Sequence, residues 1–270
     1  MEKAYLEATE YLKKNYSEQP EIGLVLGTGL GALAEEIEAE KVIPYNFIPH
    51  FPISTVESHF GKLIFGKLAG KRVMAMQGRM HFYEGYSMRE LTFPIRIMKL
   101  MGVHTLLLSN ASGALNLDYQ NGDLVVLDDH INLQGANPLI GPNMDDFGPR
   151  FPDMSRPYDP EIVDQMLRIG ADHSYRIHKG VYVGVTGPNL ETRAEYRYMR
   201  IIGGDIVGMS TVPECLVARH MGMRVGALSV VTDIGDPDNL HEVTLDDVIA
   251  IANSAEPKMR DIFMTMLPNL

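Results

Sequence analysis

Three short segments of this chain carry side chains that could bind an inorganic anion beside a small polar ligand. They are residues 27–31 (GTGLG), 77–85 (QGRMHFYEG) and 208–214 (GMSTVPE). In the second segment, Arg79 and His81 stand two positions apart, so both side chains point the same way if the preceding strand continues. A guanidinium offers a fork of donors suited to phosphate, and a nearby imidazole can add another donor.

The glycine-rich segment 27–31 follows an apolar run and precedes a helical pattern. Backbone N–H groups, a helix N-terminus and the Thr28 hydroxyl could therefore face an oxyanion. The spacing matches neither the dinucleotide-binding fingerprint nor the P-loop. Taken alone, the segment is equally typical of a plain strand-to-helix turn.

Polar residues also follow later predicted strands. Segment 110–114 (NASGA) ends a strand with small residues, which lets a ligand approach the backbone. Glu191 begins a helix. A carboxylate at this position commonly interacts favourably with the helix dipole, but it could also accept hydrogen bonds from a purine. Asp233 ends a buried strand, either as a turn former or at the sheet edge where α/β proteins bind ligands. His241 alone is more typical of a surface or capping histidine.

The elements that must position these residues alternate between strands and helices, which predicts an α/β fold. At 270 residues and 45% hydrophobic composition, the chain can bury the core of one globular domain. Pro94 lies inside a helical pattern and is expected to kink or restart that helix. A long loop at 134–160 is expected to be functional, as a lid or an intersubunit contact. The predicted helices span 3–15, 88–101, 160–170 and 244–266, and the predicted strands 21–26, 62–68, 71–76, 103–110, 124–130, 179–186, 205–209 and 223–232.

The sequence argues against several other classes of protein. No apolar stretch approaches the roughly 20 residues of a membrane-spanning helix, and the first residues lack a secretory pattern, so we expect a cytoplasmic protein. The net charge of −11 argues against a nucleic-acid partner. Cys215 is the only cysteine, which excludes an intrachain disulfide and a cysteine-clustered zinc site. Its apolar neighbours at helical spacing predict a buried structural thiol.

Six segments taken together resemble the trimeric purine nucleoside phosphorylases, and they occur in the family's order over most of the chain. Any one of them is modest evidence, whereas six in sequence are strong evidence. The segments are 27–31 (GTGLG), 78–85 (GRMHFYEG), 110–113 (NASG), 129–132 (DHIN), 187–192 (GPNLET) and 207–214 (VGMSTVPE).

The resemblance implies one phosphorylase domain over residues 1–270, with a central mixed twisted β-sheet flanked by helices. It implies phosphorolysis: inorganic phosphate attacks the ribosyl carbon of a purine nucleoside, such as inosine or guanosine, and releases the free base and α-ribose 1-phosphate. It implies no metal or organic cofactor, because phosphate is a co-substrate. It also implies a homotrimer in which Phe151 reaches into a neighbour's site.

The resemblance assigns the remaining site residues position by position. The phosphate site comprises Thr28, His59, Arg79, His81, the Ala111 backbone and Ser210. The ribose site comprises Tyr83 and Met209, with His241 as the candidate for the 5′-hydroxyl. The base site comprises Tyr182, Leu190, Glu191, Val207 and Asp233. The predicted catalytic residues among them are His81, Glu191 and Asp233.

Two features depart from the family members that prefer 6-oxopurines. Those members have Asn at the position of Asp233, and the segment from Asp233 to His241 is shorter here. An ionised Asp233 would repel a 6-oxo group and accept a hydrogen bond from a 6-amino group. A protonated Asp233 could donate to purine N7, and a nearby Glu191 would favour that neutral form through like-charge repulsion. The sequence therefore leaves the base preference open.

Three alternatives remain at this point. Methylthioadenosine phosphorylases share the reaction but prefer a 6-aminopurine and an apolar 5′ group; the MSTVPE form of 209–214 and the presence of His241 favour the nucleoside phosphorylases instead. A nucleoside hydrolase would cleave without phosphate. A noncatalytic nucleoside-binding protein would keep the pocket without turnover, and the intact set of Arg79, His81 and Ser210 argues against it.

Overall fold

The computed structural model describes residues 2–27, 31–53 and 61–270. The helices in this part of the chain are α1 (Lys3–Asn15), α2 (Met88–Leu91), α3 (Phe93–Met101), α4 (Pro160–Asp172), α5 (Arg193–Ile201), α6 (Val212–His220) and α7 (Leu245–Met266). The strands are β1 (Ile22–Leu26), β2 (Glu38–Pro44), β3 (Lys62–Leu68), β4 (Lys71–Gln77), β5 (Thr105–Ala114), β6 (Leu124–Asn132), β7 (Ile177–Gly184), β8 (Ile206–Gly208) and β9 (Arg224–Ile234).

The described strands form one mixed sheet in the order β2-β3-β4-β1-β5-β8-β7-β6-β9. Strand β1 pairs in parallel with β4 and β5, whereas β2, β3 and β4 form antiparallel pairs. Strand β5 also pairs in parallel with β9, so β5, β8, β7, β6 and β9 close into a ring. The expected α/β class with a central mixed sheet is confirmed.

The centre of the sheet is buried on both faces. Strand β1 is buried at all five positions, and β5 and β9 are buried along most of their length. Near-continuous apolar runs of this kind belong to strands covered by helices on both sides. Helices α1, α3 and α6 contact one another in series, while α4 and α7 pack together and α7 contacts β9.

Three local features compare directly with the sequence predictions. The helix predicted at 88–101 is divided: α2 ends at Leu91, and α3 restarts at Phe93 with Pro94 in its first turn, where a missing N–H costs nothing. Strand β2 was not predicted, because it is an edge strand with mostly exposed side chains. Segment 133–159 contains neither helix nor strand, as expected for the long loop. The extent of the domain, residues 1–270, stays a prediction.

The parallel strands β1, β4, β5 and β9 all end at one edge of the sheet. Strand β5 runs on past β1, and β9 carries a bulge there, since Ser112 pairs with Val231 but Gly113 with Asp233. The extra residue places Thr232 and Asp233 together at the sheet edge. In the described part of the chain, no helix is long and apolar enough to cross a membrane.

Candidate active site

A cavity of about 420 Å³ opens at this edge of the sheet. Its floor is formed by the ends of β5 and β9, and its sides by segments 79–83, 188–191 and 207–210. Its remaining wall comes from the segment entering α7, at 243–248. The cavity therefore joins side chains from widely separated parts of the sequence.

Arg79 forms one end of the cavity and is only 3% exposed. Its Nη1 donates to the Ser109 carbonyl oxygen at 2.8 Å and to Ser210 Oγ at 3.1 Å. Its Nε lies 2.8 Å from Glu214 Oε1, in a buried ion pair. Its Nη2 has no hydrogen-bond partner among the described residues. Arg79 is thus fixed on one side by protein groups and keeps a donor for an anionic ligand.

The turn that presents Ser210 has an unusual backbone. Thr211 adopts φ 69° and ψ −50°, and Val212 N donates to the Ser210 carbonyl oxygen at 2.7 Å. This is the strained γ-turn geometry, which persists only where the surroundings impose it. Asn110 Nδ2 donates to Thr211 Oγ1 at 2.9 Å, and Ser210 N donates to the Tyr182 hydroxyl at 3.1 Å. These buried bonds hold the Ser210 hydroxyl beside Arg79.

His81 lies next to this end of the cavity. Its backbone N–H donates to Glu84 Oε1 at 2.6 Å, and its ring Nδ1 lies 3.2 Å from the same oxygen. Its ring stacks on Tyr83, with 4.8 Å between ring centroids. Because Nδ1 faces the Glu84 carboxylate, Nε2 is the ring nitrogen left to meet a ligand.

Two carboxyl groups, Glu191 and Asp233, line the same cavity. Burial raises the pKa of Glu191, and the charge of Asp233 raises it further, whereas Tyr196 and a backbone hydrogen bond oppose the shift. Burial also raises the pKa of Asp233, opposed by Thr232, whose hydroxyl donates to Asp233 Oδ1 at 3.1 Å. Both carboxyls therefore keep their protons to a higher pH than exposed carboxyls do.

The structure brings most of the predicted site residues together. Ten of them line the cavity: Arg79, His81, Tyr83, Ala111, Leu190, Glu191, Val207, Met209, Ser210 and Asp233. Thr28 and His59 lie outside the described residues. Tyr182, Phe151 and His241 are placed elsewhere, and their roles stay predictions.

Tyr182 is fully buried behind the cavity wall. A Cβ on Gly208 would stand 2.4 Å from the Tyr182 hydroxyl, so glycine is required for this approach. Tyr182 contacts the site through the Ser210 amide. The base contact that the resemblance assigns to Tyr182 stays a prediction. Phe151 is 87% exposed and borders a separate groove lined by Leu139, Ile140, Met154 and Leu216.

His241 is exposed and is not part of the cavity lining. The lining there consists of Val243, Thr244, Leu245 and Val248, which the sequence analysis missed. A signal for the last two was present, because positions 245 and 248 of one helix share a face. Among the described residues, no group of three or more His, Cys, Asp or Glu side chains is placed to hold a metal ion.

The chain matches the phosphorylase superfamily over residues 21–268. It is 54% identical over 226 residues to "Purine nucleoside phosphorylase 1" of Bacillus subtilis, covering 84% of this chain and 83% of that relative. Solved structures of the Schistosoma mansoni purine nucleoside phosphorylase share the fold. The complex with inosine has a TM-score of 0.94 at 39% identity, covering 99% of this chain and 96% of that one. The complex with adenosine has a TM-score of 0.93 at 41% identity, covering 98% of this chain and 96% of that one.

A substitution at Gly113 tests where the Asp233 carboxyl group lies in the cavity. A Cβ at position 113 would stand 2.8 Å from Asp233 Oδ2, so Gly113→Ala should displace this carboxyl group. We expect the Kd of a purine in the cavity, measured by calorimetry, to rise about tenfold, the loss of roughly one good hydrogen bond. We expect the free energy of unfolding to change by less than about 1 kcal/mol, because only a side-chain end must move. An unchanged Kd would show that Asp233 does not contact the purine.

Proposed function

Because this chain belongs to the phosphorylase superfamily and is a purine nucleoside phosphorylase, we propose that its cavity holds inorganic phosphate at one end and the purine at the other. Arg79, His81 and Ser210 bind the phosphate, and Glu191 and Asp233 bind the base. One observation carries this proposal: a single cavity joins a buried guanidinium, whose Nη2 has no hydrogen-bond partner among the described residues, to a pair of partly buried carboxyl groups.

At the phosphate end, a phosphate oxygen attacks C1′ of the ribose from the face opposite the base. The bond from C1′ to N9 breaks, its electron pair leaves with the purine, and ribose 1-phosphate forms with inverted configuration. Positive charge develops on the sugar as this bond lengthens, so a phosphate fixed against it stabilises the transition state. Arg79 and the rigid Ser210 turn supply that fixed position.

At the base end, the departing purine gains negative charge and needs a proton donor near N7. We assign this donor to Asp233 in its neutral form. In this assignment Glu191 carries the negative charge, because a backbone hydrogen bond and a hydrogen bond from Tyr196 favour its ionised form. The ionised Glu191 then accepts a hydrogen bond from the ring N–H of a 6-oxopurine.

This assignment makes inosine and guanosine the main substrates. A neutral Asp233 does not repel a 6-oxo group, so Asp at this position is compatible with a 6-oxopurine. An ionised Asp233 accepts a hydrogen bond from a 6-amino group, so adenosine becomes a better substrate as this residue loses its proton. We further propose that the reaction requires no metal or organic cofactor and takes place in the cytoplasm.

The first test is purine release from inosine, guanosine and adenosine, each with and without inorganic phosphate. We expect release from inosine and guanosine that depends fully on phosphate, and slower release from adenosine at pH 7. Release that persists without phosphate would make the protein a hydrolase. Release from 6-aminopurines alone would assign it to the methylthioadenosine phosphorylases, and binding without any turnover would make it a nucleoside-binding protein.

The pH dependence tests the role of Asp233. The pKa of this carboxyl is raised by burial, so the neutral, donating form persists above the usual aspartate range. The kcat for inosine should therefore fall as pH rises through this raised pKa. Asp233→Asn cannot ionise and should abolish that limb while keeping activity on inosine. An identical alkaline limb in the variant would assign it to another group.

We also propose that the protein is a homotrimer in which Phe151 completes a neighbour's site. This residue is 87% exposed, and Arg150 lies 5.6 Å from its ring centroid. A large exposed aromatic beside an apolar groove is typical of a contact surface. Sedimentation equilibrium should give three times the mass of one 30.1 kDa chain.

Phe151→Ala should raise the KM for inosine about tenfold by removing an apolar contact. The matched control is Phe47→Ala, which truncates another exposed phenylalanine, 62% exposed, outside the cavity and the groove. A fully active monomer, or equal effects of the two substitutions, would contradict the trimer proposal.

A further inference from the structure

Glu191 stands directly before helix α5, whose first turn is closed by a capping box. Thr192 is the N-cap: its hydroxyl accepts from Glu195 N at 3.3 Å, and its own N–H donates to Glu195 Oε2 at 2.7 Å. At such a helix start, the residue before the N-cap often packs against the fourth helical residue, which fixes how the chain enters the helix. Here these two positions hold Glu191 and Tyr196, so a polar pair stands where two apolar side chains are usual.

The ring of Tyr196 is held behind the cavity wall and is 2% exposed. A Cβ on Gly235 would stand 2.2 Å from Tyr196 Cε1, so the ring packs directly on the backbone that follows Asp233. Gly235 N donates in turn to the Ala114 carbonyl oxygen at 2.8 Å, at the end of β5. The ring is therefore fixed between the segment that carries Asp233 and the helix that follows Glu191.

The Tyr196 hydroxyl donates a hydrogen bond to the Glu191 carboxylate. Burial raises the pKa of Tyr196, and the charges of Glu191 and Asp233 raise it further, so the phenol keeps its proton and stays a donor at neutral pH. Burial also raises the pKa of Glu191, and the charges of Asp233 and Glu195 add to this shift. The Tyr196 hydroxyl opposes it, because a hydrogen bond to a carboxylate favours the charged form.

Glu191 borders two cavities, so its carboxyl group has two directions open to it. The second cavity, of about 370 Å³, shares Glu191 with the first and is otherwise lined by segments 185–189 and 195–199 and by Leu133. A glutamate side chain has enough rotamer freedom to turn toward either space. Tyr196 decides between them, because its ring packs beside Asp233, which lines the first cavity. The hydrogen bond thus holds the carboxyl group on the side of Asp233.

We propose that Tyr196 is a positioning residue for base specificity: it holds the Glu191 carboxylate toward the purine, where this carboxylate accepts a hydrogen bond from the ring N–H. A 6-oxopurine carries a hydrogen on N1, whereas N1 of a 6-aminopurine has a lone pair that repels a carboxylate. Tyr196 therefore favours 6-oxopurines without lining the cavity itself. This inference rests on the proposed phosphorolysis and adds to it a residue that acts through Glu191.

Tyr196→Phe keeps the ring and removes only the hydroxyl. With saturating phosphate at pH 7, we expect kcat/KM for inosine to fall about tenfold, the loss of one hydrogen bond to a charged group, and that for adenosine to change less than about threefold. The fall should appear in KM, since the ring N–H makes its bond both before and during cleavage. The matched control is Tyr198→Phe, because Tyr198 is 52% exposed on the same helix and does not line the active-site cavity.

Equal falls for inosine and adenosine, or equal effects of the two substitutions, would contradict the inference. Gly235→Ala is a second variant, which keeps the hydroxyl but displaces the Tyr196 ring, and it should lower the inosine-to-adenosine ratio in the same direction. Absence of phosphate-dependent release from inosine in the unsubstituted protein would instead overturn the proposed function.

The pH profile distinguishes positioning of a charge from packing. Release from inosine should fall as pH drops through the pKa of Glu191, because the neutral carboxyl no longer accepts from N1–H. Tyr196→Phe removes a donor from the charged form, so this acidic limb should move to higher pH, whereas Tyr198→Phe should leave it in place. A limb that does not move in Tyr196→Phe would show that the hydroxyl does not act on Glu191.

A double-mutant cycle completes the test. With phosphate present, Tyr196→Phe should raise the Kd of hypoxanthine about tenfold, measured by calorimetry. In a Glu191→Ala background the same substitution should change this Kd less than about twofold, because no carboxylate is left to position. A full tenfold loss in that background would show that Tyr196 acts independently of Glu191 and would overturn the inference.

Discussion

The buried ion pair between Arg79 and Glu214 is the constraint on which the rest of the site depends. Both side chains are almost fully inaccessible, at 3% and 4% exposure. Removing two charges from water is costly and is offset only by close geometry and further hydrogen bonds. Here the Ser109 carbonyl oxygen and the Ser210 hydroxyl supply those bonds. The ends of β4 and β5 and the start of α6 must therefore converge for Arg79 to be tolerated in the interior.

This arrangement also sets the conditions under which the proposed phosphate would be attracted. The chain carries a net charge of −11, and Glu214 already balances Arg79. Long-range attraction therefore contributes little, and binding must come from donors held at short range. In the proposed phosphate site, such donors are Arg79 Nη2, which has no hydrogen-bond partner in the described part of the chain, and the Ser210 hydroxyl, which the strained turn at Thr211 fixes. In that proposed site the backbone strain has a role, because a relaxed turn would let Ser210 move away from the guanidinium.

The sequence predicted the central elements well because their signals are local. Strands β1, β5 and β9 are continuous apolar runs, and the turns at their ends carry the site motifs. Strand β2 was not predicted, because its segment is mostly exposed and its strand partner among the described residues is β3. The resemblance placed ten residues that share one cavity. It could not place the wall at 243–248, because the path of the shortened segment after Asp233 is a tertiary property. His241 has suitable chemistry, but that path leaves it exposed outside the cavity lining.

The proposed roles of the two carboxyls account for an aspartate at the position where the resemblance leads us to expect an asparagine in enzymes that prefer 6-oxopurines. Asparagine donates a hydrogen bond at every pH, whereas aspartate donates only when neutral. Burial disfavours the charge on Asp233 and raises its pKa, and in the proposed assignment Glu191 carries the negative charge that meets the ring N–H of the base. A neutral Asp233 then presents the same donor as asparagine. The difference is that its proton can be lost, and the residue then accepts a hydrogen bond from a 6-amino group. On this proposal, the base preference depends on whether Asp233 holds its proton, and the burial that raises its pKa favours the 6-oxopurines.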